Sequence, residues 1–289
     1  MDTPTTESAP PGIEPPRLAA PDERRRSLEE FVRGVVDDAD ATGVVVNLSG
    51  GIDSSVTASL AVEALGSEHV TGLVLPATPT PTTDVDDAIH LAEELVIDYR
   101  VIDLQPIVER FMALLQDREG DIRGDSGGAD TVPRDERRAA VGNLSARARM
   151  AVAYFEANVS ERLVLGTGNR TELELGYFTK YGDGGVDALP IGNLYKTQVR
   201  DLATVLDVPD HIVEKPPTAG LWDGQTDEAE LGATYPVIDA VLHGLLDAED
   251  TAEVVADELG LDGGFVDRIA TLVDRSDHKR RMPPRPGDR

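Results

Sequence analysis

The chain opens its periodic part near Ser27, where apolar residues at Leu28, Phe31, Val32, Val35 and Val36 fall on one helical stripe. The period then changes. Gly43 to Leu48 carries three consecutive valines and predicts the first strand, and a helix is expected from about Ser54 to Leu65. "HVTGLVLP" predicts a second strand, the stretch around Asp84 to Leu95 a helix, and "YRVIDL" a short third strand. Strands alternating with helices imply a parallel sheet covered on both faces, an α/β fold. A long helix is expected from Ala139 to about Val159, and "RLVLGTGNRTE" repeats the order of apolar strand, glycine and polar turn. Beyond Leu202 the pattern is mostly helical, interrupted by "EKPPTAGLWDGQTD".

Between these elements the composition shifts. Residues 117–138, Gly-rich, charged and without period, predict a long mobile loop, the kind that usually serves as a lid or stays disordered. Residues 1–22, rich in Pro, Thr and Glu, read as a disordered tail, and "PPRPGDR" as a second. The sequence contains no internal repeat, so residues 23–285 are expected to form one continuous domain.

Charge narrows the partners. The 289 residues carry 27 Lys plus Arg against 54 Asp plus Glu, a formal net charge of −27, which argues against nucleic acid and anionic membranes as partners. Only four of the basic residues are lysines: Lys180, Lys196, Lys215 and Lys279. Scarce lysine with abundant carboxylates resembles the protein composition of extreme halophiles, where molar salt shortens the Debye length to roughly 3 Å and screens self-repulsion. No apolar run is long enough to span a membrane and the first residues have no signal-peptide pattern, so a cytoplasmic location is expected. The absence of cysteine removes disulfides, thiolate metal sites and thiol nucleophiles.

The chemistry concentrates in "VVVNLSGGIDSS", residues 44–55. A Ser-Gly-Gly turn between a strand and a helix can bring backbone N–H groups and the positive helix end to a phosphate. It is neither a Walker A sequence nor G-x-G-x-x-G. Ser49-Gly50-Gly51-Ile52-Asp53-Ser54 instead resembles the pyrophosphate-binding loop of the N-type ATP pyrophosphatases. A carboxylate beside a triphosphate, Asp53, is most simply a Mg²⁺ ligand.

Downstream, "GTGNRTELELGYFTKYGDGGVDALPIGNLYKTQVRDLA", "KPPTAGLWDGQTDEAELGATYPVID" and "DHKRRMPP", with "NLSARARM" ahead of them, resemble the ammonia-dependent NAD synthetases over roughly residues 27–285. The resemblance implies a doubly wound five-stranded parallel sheet with C-terminal helices, assembled as a homodimer. It implies attack of the deamido-NAD carboxylate on the α phosphate of ATP, then displacement of AMP by ammonia, the last step of NAD biosynthesis. It assigns ATP to Asn47, Leu48, Ser49, Gly50, Gly51, Ile52, Asp53, Ser54, Thr167, Lys196 and Thr218. Asp53 and Glu172 become Mg²⁺ ligands and, with Lys196, the catalytic set. Deamido-NAD falls to Arg147, Lys180, Asp187, His278 and Lys279, with Asp183 a weaker candidate. Ile52 stands where Gln is frequent in the family, and "LPATPTPTT" lacks a usual basic residue, which leaves contacts from the second strand open. Two alternatives stay open: another ATP pyrophosphatase with a different substrate, and a non-catalytic ATP-binding regulator. The glutamine-dependent relatives draw ammonia from an amidase domain with a cysteine nucleophile. This chain has no cysteine, so free ammonia, or ammonia handed over by a separate protein, is the expected nitrogen source.

Overall fold

The computed structural model describes residues 12–77, 81–122, 134–218 and 226–286. Its sheet is built on the valine run. Strand β1 (Val44–Asn47) lies between β2 (Val70–Val74) and β4 (Leu163–Leu165), with β3 (Asp98–Val101) outside β2. The order is β3-β2-β1-β4, every pair parallel, with Val44 opposite both Val70 and Leu163. Val44 and Val46 enter one core with Val32 of α1 (Pro21–Asp38), Val56 and Leu60 of α2 (Ile52–Leu65) and Val199 and Leu202 of α7 (Lys196–Val205). Val45 enters another with Val108 of α4 (Gln105–Ile122) and Ala153 and Ala157 of α5 (Arg134–Ser160). Since both faces are covered, alternation gives way to an unbroken apolar run, and each buried valine contributes about 1.5–3 kcal/mol over an exposed one.

The strand order creates the crevice. The chain winds from β1 through β2 to β3 on one side, with α3 (Thr82–Glu94) between the last two, then returns to place β4 on the other side of β1. The carboxyl ends of β1 and β4 are therefore adjacent where the winding reverses, the place where such sheets bind ligands. Next to β4 the expected fifth strand is reduced, among the described residues, to one parallel bridge between Leu165 and Ala188. The Gly166 N–H donates to Ala188 O at 2.8 Å, but Pro190 then removes the next donor, and the Asp187 carboxylate takes the Val164 N–H at 2.8 Å.

Several boundaries differ from expectation. α1 begins at Pro21, six residues before Ser27, and Phe31 on its expected stripe is exposed while Leu28, Val32 and Val36 are buried. Residues 13–18, expected within the tail, lie on the body: Ile13 packs against Val237 and Ala240, and Leu18 joins the main core. The Thr197 hydroxyl donates to Pro16 O at 3.0 Å and the Leu18 N–H to Asp201 Oδ2 at 2.9 Å. Two apolar anchors suffice here, although the average composition is that of a disordered segment; residues 1–11 lie outside the described residues. Much of the expected loop 117–138 is helix, because α4 runs on to Ile122 and α5 begins at Arg134; residues 123–133 lie outside the described residues.

The C-terminal part is helical, as expected: α8 (Asp210–Val213), α9 (Asp227–Leu231), α10 (Tyr235–Leu246), α11 (Ala252–Leu259) and α12 (Gly263–Arg280). The last four close around Tyr195, Tyr235, Ile238, Leu242 and Ile269, while Ile212 of α8 joins the main core. α12 docks on the end of α6 (Arg170–Leu175), where Gly176 at φ +68° has no room for a β-carbon, which would lie 2.3 Å from Ser276 Cβ.

Candidate active site

β1 and α2 are joined by Leu48, Ser49, Gly50 and Gly51, too short a turn for side chains to fill. Gly50 sits at φ +74°, and a β-carbon there would lie 2.2 Å from Asp84 O, so only glycine lets the start of α3 approach. Ser54 braces the turn from below: its hydroxyl donates to Gly51 O at 3.0 Å, accepts the Ser49 N–H at 3.2 Å and lies 3.0 Å from Ser49 Oγ. Gly51, at the cap position before α2, offers no side-chain cap, which leaves the helix's positive end facing the crevice.

The second turn follows β4. Asn169 caps α6, accepting the Glu172 N–H at 3.0 Å, while the Asn169 side chain donates to Asp53 Oδ1 at 3.0 Å. Asn169 is fully buried. Asn169 therefore touches a carboxylate from each turn, Asp53 through its side chain and Glu172 Oε2 through its backbone N–H at 3.4 Å, and Lys196, the first residue of α7, completes the group. Its Nζ donates in a very short contact to Asp53 Oδ2 and lies 3.4 Å from Glu172 Oε1 and 5.1 Å from the Tyr235 ring centre. The Lys196 side chain is 4% exposed, each carboxylate 18%.

Electrostatics follow from the geometry. Burial raises the pKa of Glu172, the neighbouring Asp53 charge raises it further, and Lys196 pulls it back. Burial works against the Lys196 ammonium, but Asp53 and Glu172 outweigh it and hold its pKa above the usual lysine value. The point between the two carboxylates thus attracts a cation. Two hard oxygen donors around such a point suit Mg²⁺.

A cavity of about 530 Å³ opens over this group. Of the residues expected at ATP, Asn47, Leu48, Ser49, Gly50, Gly51, Ile52, Asp53, Thr167, Lys196 and Thr218 line it; Ser54 does not and acts as the brace beneath. The dinucleotide set divides. Lys279 lines the cavity, its Nζ donating to Gly176 O at 2.7 Å and Phe178 O at 3.0 Å. Asp183 lines it too, accepting the Thr179 N–H at 2.9 Å. Arg147, Lys180, Asp187 and His278 do not line it. Arg147 donates to Lys180 O at 3.2 Å, Lys180 to His278 O and Arg281 O, and Asp187 accepts from Tyr154 OH at 3.0 Å. The His278 Nδ1 lies 2.9 Å from Arg275 O.

Sequence reasoning missed three residues. Arg149, two positions after Arg147, lines the cavity and donates to Leu75 O at 2.9 Å. Lys215, the lysine left without a role, donates to Gly50 O at 2.9 Å, Asp84 Oδ1 at 2.9 Å and Asp87 Oδ2 at 2.5 Å, tying the glycine turn to α3. The scarcity of lysine was the available signal. Asn169 has a sequence signal as well, since N-x-x-E ahead of a helix is a capping pattern.

A phosphate-shaped turn, a cation-binding carboxylate pair and a buried lysine at the reversal of a parallel sheet define a nucleotide-binding α/β enzyme class. The NAD synthase family profile matches residues 25–283. The chain belongs to that family. It is 46% identical over 258 residues to the NH(3)-dependent NAD(+) synthetase of Methanosarcina acetivorans, covering 89% of this chain and 94% of that one. Among solved structures it resembles an NMN synthetase from Francisella tularensis (37% identity, TM-score 0.77, 93% of this chain and 100% of that one). It also resembles the NH3-dependent NAD synthetase of Campylobacter jejuni (26% identity, TM-score 0.73, 92% and 99%).

Proposed function

We propose that this chain makes NAD from deamido-NAD, ATP and ammonia, releasing AMP and pyrophosphate. The observation that carries the reading is the convergence of Asp53 and Glu172 on Lys196 at the mouth of the Ser49–Gly51 turn. A protein that only senses ATP needs the turn but not a second carboxylate held across the crevice. Family membership and the name of the Methanosarcina relative support the same substrates.

The turn's backbone N–H groups and the start of α2 hold the triphosphate, and Lys196 places a fixed positive charge where negative charge grows as pyrophosphate leaves. Asp53 and Glu172 would hold Mg²⁺, which supplies neutralisation of the departing phosphates. The substrate carboxylate oxygen bonds to the α phosphorus while the bond to the pyrophosphate oxygen breaks. Ammonia then bonds to the acyl carbon and AMP leaves with the former carboxylate oxygen. The nucleophile must be neutral NH₃, since ammonium has no lone pair; one proton is released to solvent.

The assembly we propose is a homodimer in the cytoplasm. Ile107, Phe111, Leu114 and Leu115 on α4 and Phe155 and Val159 on α5 are apolar and exposed on two helices that touch each other, which supports a partner surface there. No described helix is long and apolar enough to cross a membrane. The acidic composition further supports a protein working in molar salt.

The test is incubation with ATP, Mg²⁺, ammonium and deamido-NAD in concentrated KCl, with NAD and AMP as the readout. Likeness to an NMN synthetase favours one second reading, in which the substrate is the mononucleotide. The same assay with nicotinate mononucleotide decides it. Deamido-NAD is expected to be preferred, and a preference for the mononucleotide would replace the first reading. Glutamine alone, with stray ammonia scavenged, is expected to give no product.

A further inference from the structure

We infer that Asp239 is a positioning residue that sets Glu172 and Lys196 against each other from beneath the site. The inference rests on the proposed reaction for its readout, but its evidence is geometric. Asp239 lies on α10, is 0% exposed and does not line the cavity. Its Oδ1 accepts the Thr171 hydroxyl at 2.6 Å and its Oδ2 accepts the Thr197 N–H at 2.8 Å. Thr171 directly precedes Glu172, and Thr197 directly follows Lys196. The Thr171 hydroxyl in turn accepts the Lys196 N–H at 3.0 Å, so the first turns of α6 and α7 are joined through one carboxylate.

A carboxylate buried among apolar side chains costs free energy unless its hydrogen bonds compensate. Burial raises the Asp239 pKa to about 6 against the pull of Thr171 and Thr197. Tyr235, Ile238 and Leu242 on the same helix are buried and apolar, and a hydrophobic residue at 239 would suit that surface. What a carboxylate alone offers is two acceptors at once. The Thr171 oxygen already accepts from Lys196, so its proton needs an acceptor; the Thr197 N–H needs another. An Asn at this position presents one oxygen and one NH₂, so it either opposes the Thr197 N–H or strands the Thr171 proton. The two helix starts then keep only their direct bonds, Lys196 N–H to the Thr171 hydroxyl and Arg170 N–H to Leu194 O, and the distance between Glu172 and Lys196 is no longer set from below.

Asp239→Asn, Thr171→Val and Thr171→Ser are compared with the wild-type chain in molar KCl, measuring kcat, KM for deamido-NAD and the thermal midpoint. kcat is expected to fall at least about tenfold in Asp239→Asn and Thr171→Val, with KM within about threefold, because the interaction acts on the transition state rather than on binding. Thr171→Ser keeps the hydroxyl and should restore kcat to within about threefold of wild type. The double variant Asp239→Asn/Thr171→Val should lose little beyond the worse single change, since both break one path. Normal kcat in folded Asp239→Asn overturns the inference, as does a Thr171→Ser loss equal to that of Thr171→Val, or losses that multiply in the double variant. If Asp239→Asn does not fold, the two Thr171 variants decide alone. Failure of the wild-type chain to make any product would count against the proposed reaction, not against this arrangement.

Discussion

The two ends of the cavity are held by opposite means. At the turns after β1 and β4, charged side chains meet one another: Asp53 and Glu172 converge on Lys196, with Asn169 bridging the two carboxylates. At the other end, cations meet backbone carbonyls: Lys279 binds Gly176 O and Phe178 O, Lys180 binds His278 O and Arg281 O, and Arg147 binds Lys180 O. The first end places reactive charge on a rigid sheet. The second uses Lys180 and Lys279 to fasten α12 to the turn after α6, and of its predicted cations only Lys279 reaches the cavity, beside Asp183. Chemistry and substrate grip are therefore expected to respond differently to mutation.

The largest effect should come from the first end. Asp53→Asn and Glu172→Gln are each expected to cut kcat by about 10² to 10³-fold. The thermal midpoint should move little, because both side chains are partly open to solvent and outside the apolar cores. Steady-state kinetics beside an unfolding curve measure this, and retained turnover in either variant would remove the carboxylate pair from the mechanism. At the second end, Lys279→Met should raise KM for deamido-NAD by roughly tenfold with kcat nearly kept, the signature of lost uniform binding. His278→Ala, outside the cavity, should change it less than about threefold, so equal effects would erase the distinction between the two neighbours. Lys215→Met, which releases Gly50 O from α3, should raise KM for ATP a few-fold and leave deamido-NAD unaffected. The mildest effect is global. Between about 0.1 and about 3 M KCl the unfolding midpoint should rise by roughly 5–10 °C, as screening offsets the −27 charge. An unchanged midpoint would mark an ordinary acidic protein.

Legibility in the sequence followed the same division. The valine run and the S-G-G-x-D-S turn could be read because a buried parallel strand and a phosphate turn each impose a local pattern, and the structure places both where the pattern indicated. Glu172 was legible only through the family resemblance, although Asn169-x-x-Glu172 is also the capping pattern that starts α6. Local pattern failed where tertiary packing decides. Ile13 and Leu18 are two apolar residues in a disordered-looking stretch, and only the grooves over α7 and α10 give them a place. The charged half of α4 looked like loop because "DREGDI" carries no apolar period of its own, although the helix runs on through it. Arg149 and Arg147 have equal claims in "NLSARARM", and helix rotation alone sends one to the cavity and the other outward. Asp239, in a buried apolar helix face, has no signal short of its partners.

In the proposed reaction this site activates a carboxylate by joining it to the α phosphate of ATP before ammonia arrives. The most direct measurement uses deamido-NAD carrying heavy oxygen in its carboxylate, with ATP, Mg²⁺ and ammonium in concentrated KCl, and mass analysis of the nucleotide products. Doubly labelled substrate should yield AMP with one heavy oxygen for each NAD formed, and pyrophosphate with none. Unlabelled AMP, or ADP and labelled inorganic phosphate in its place, would contradict that reaction.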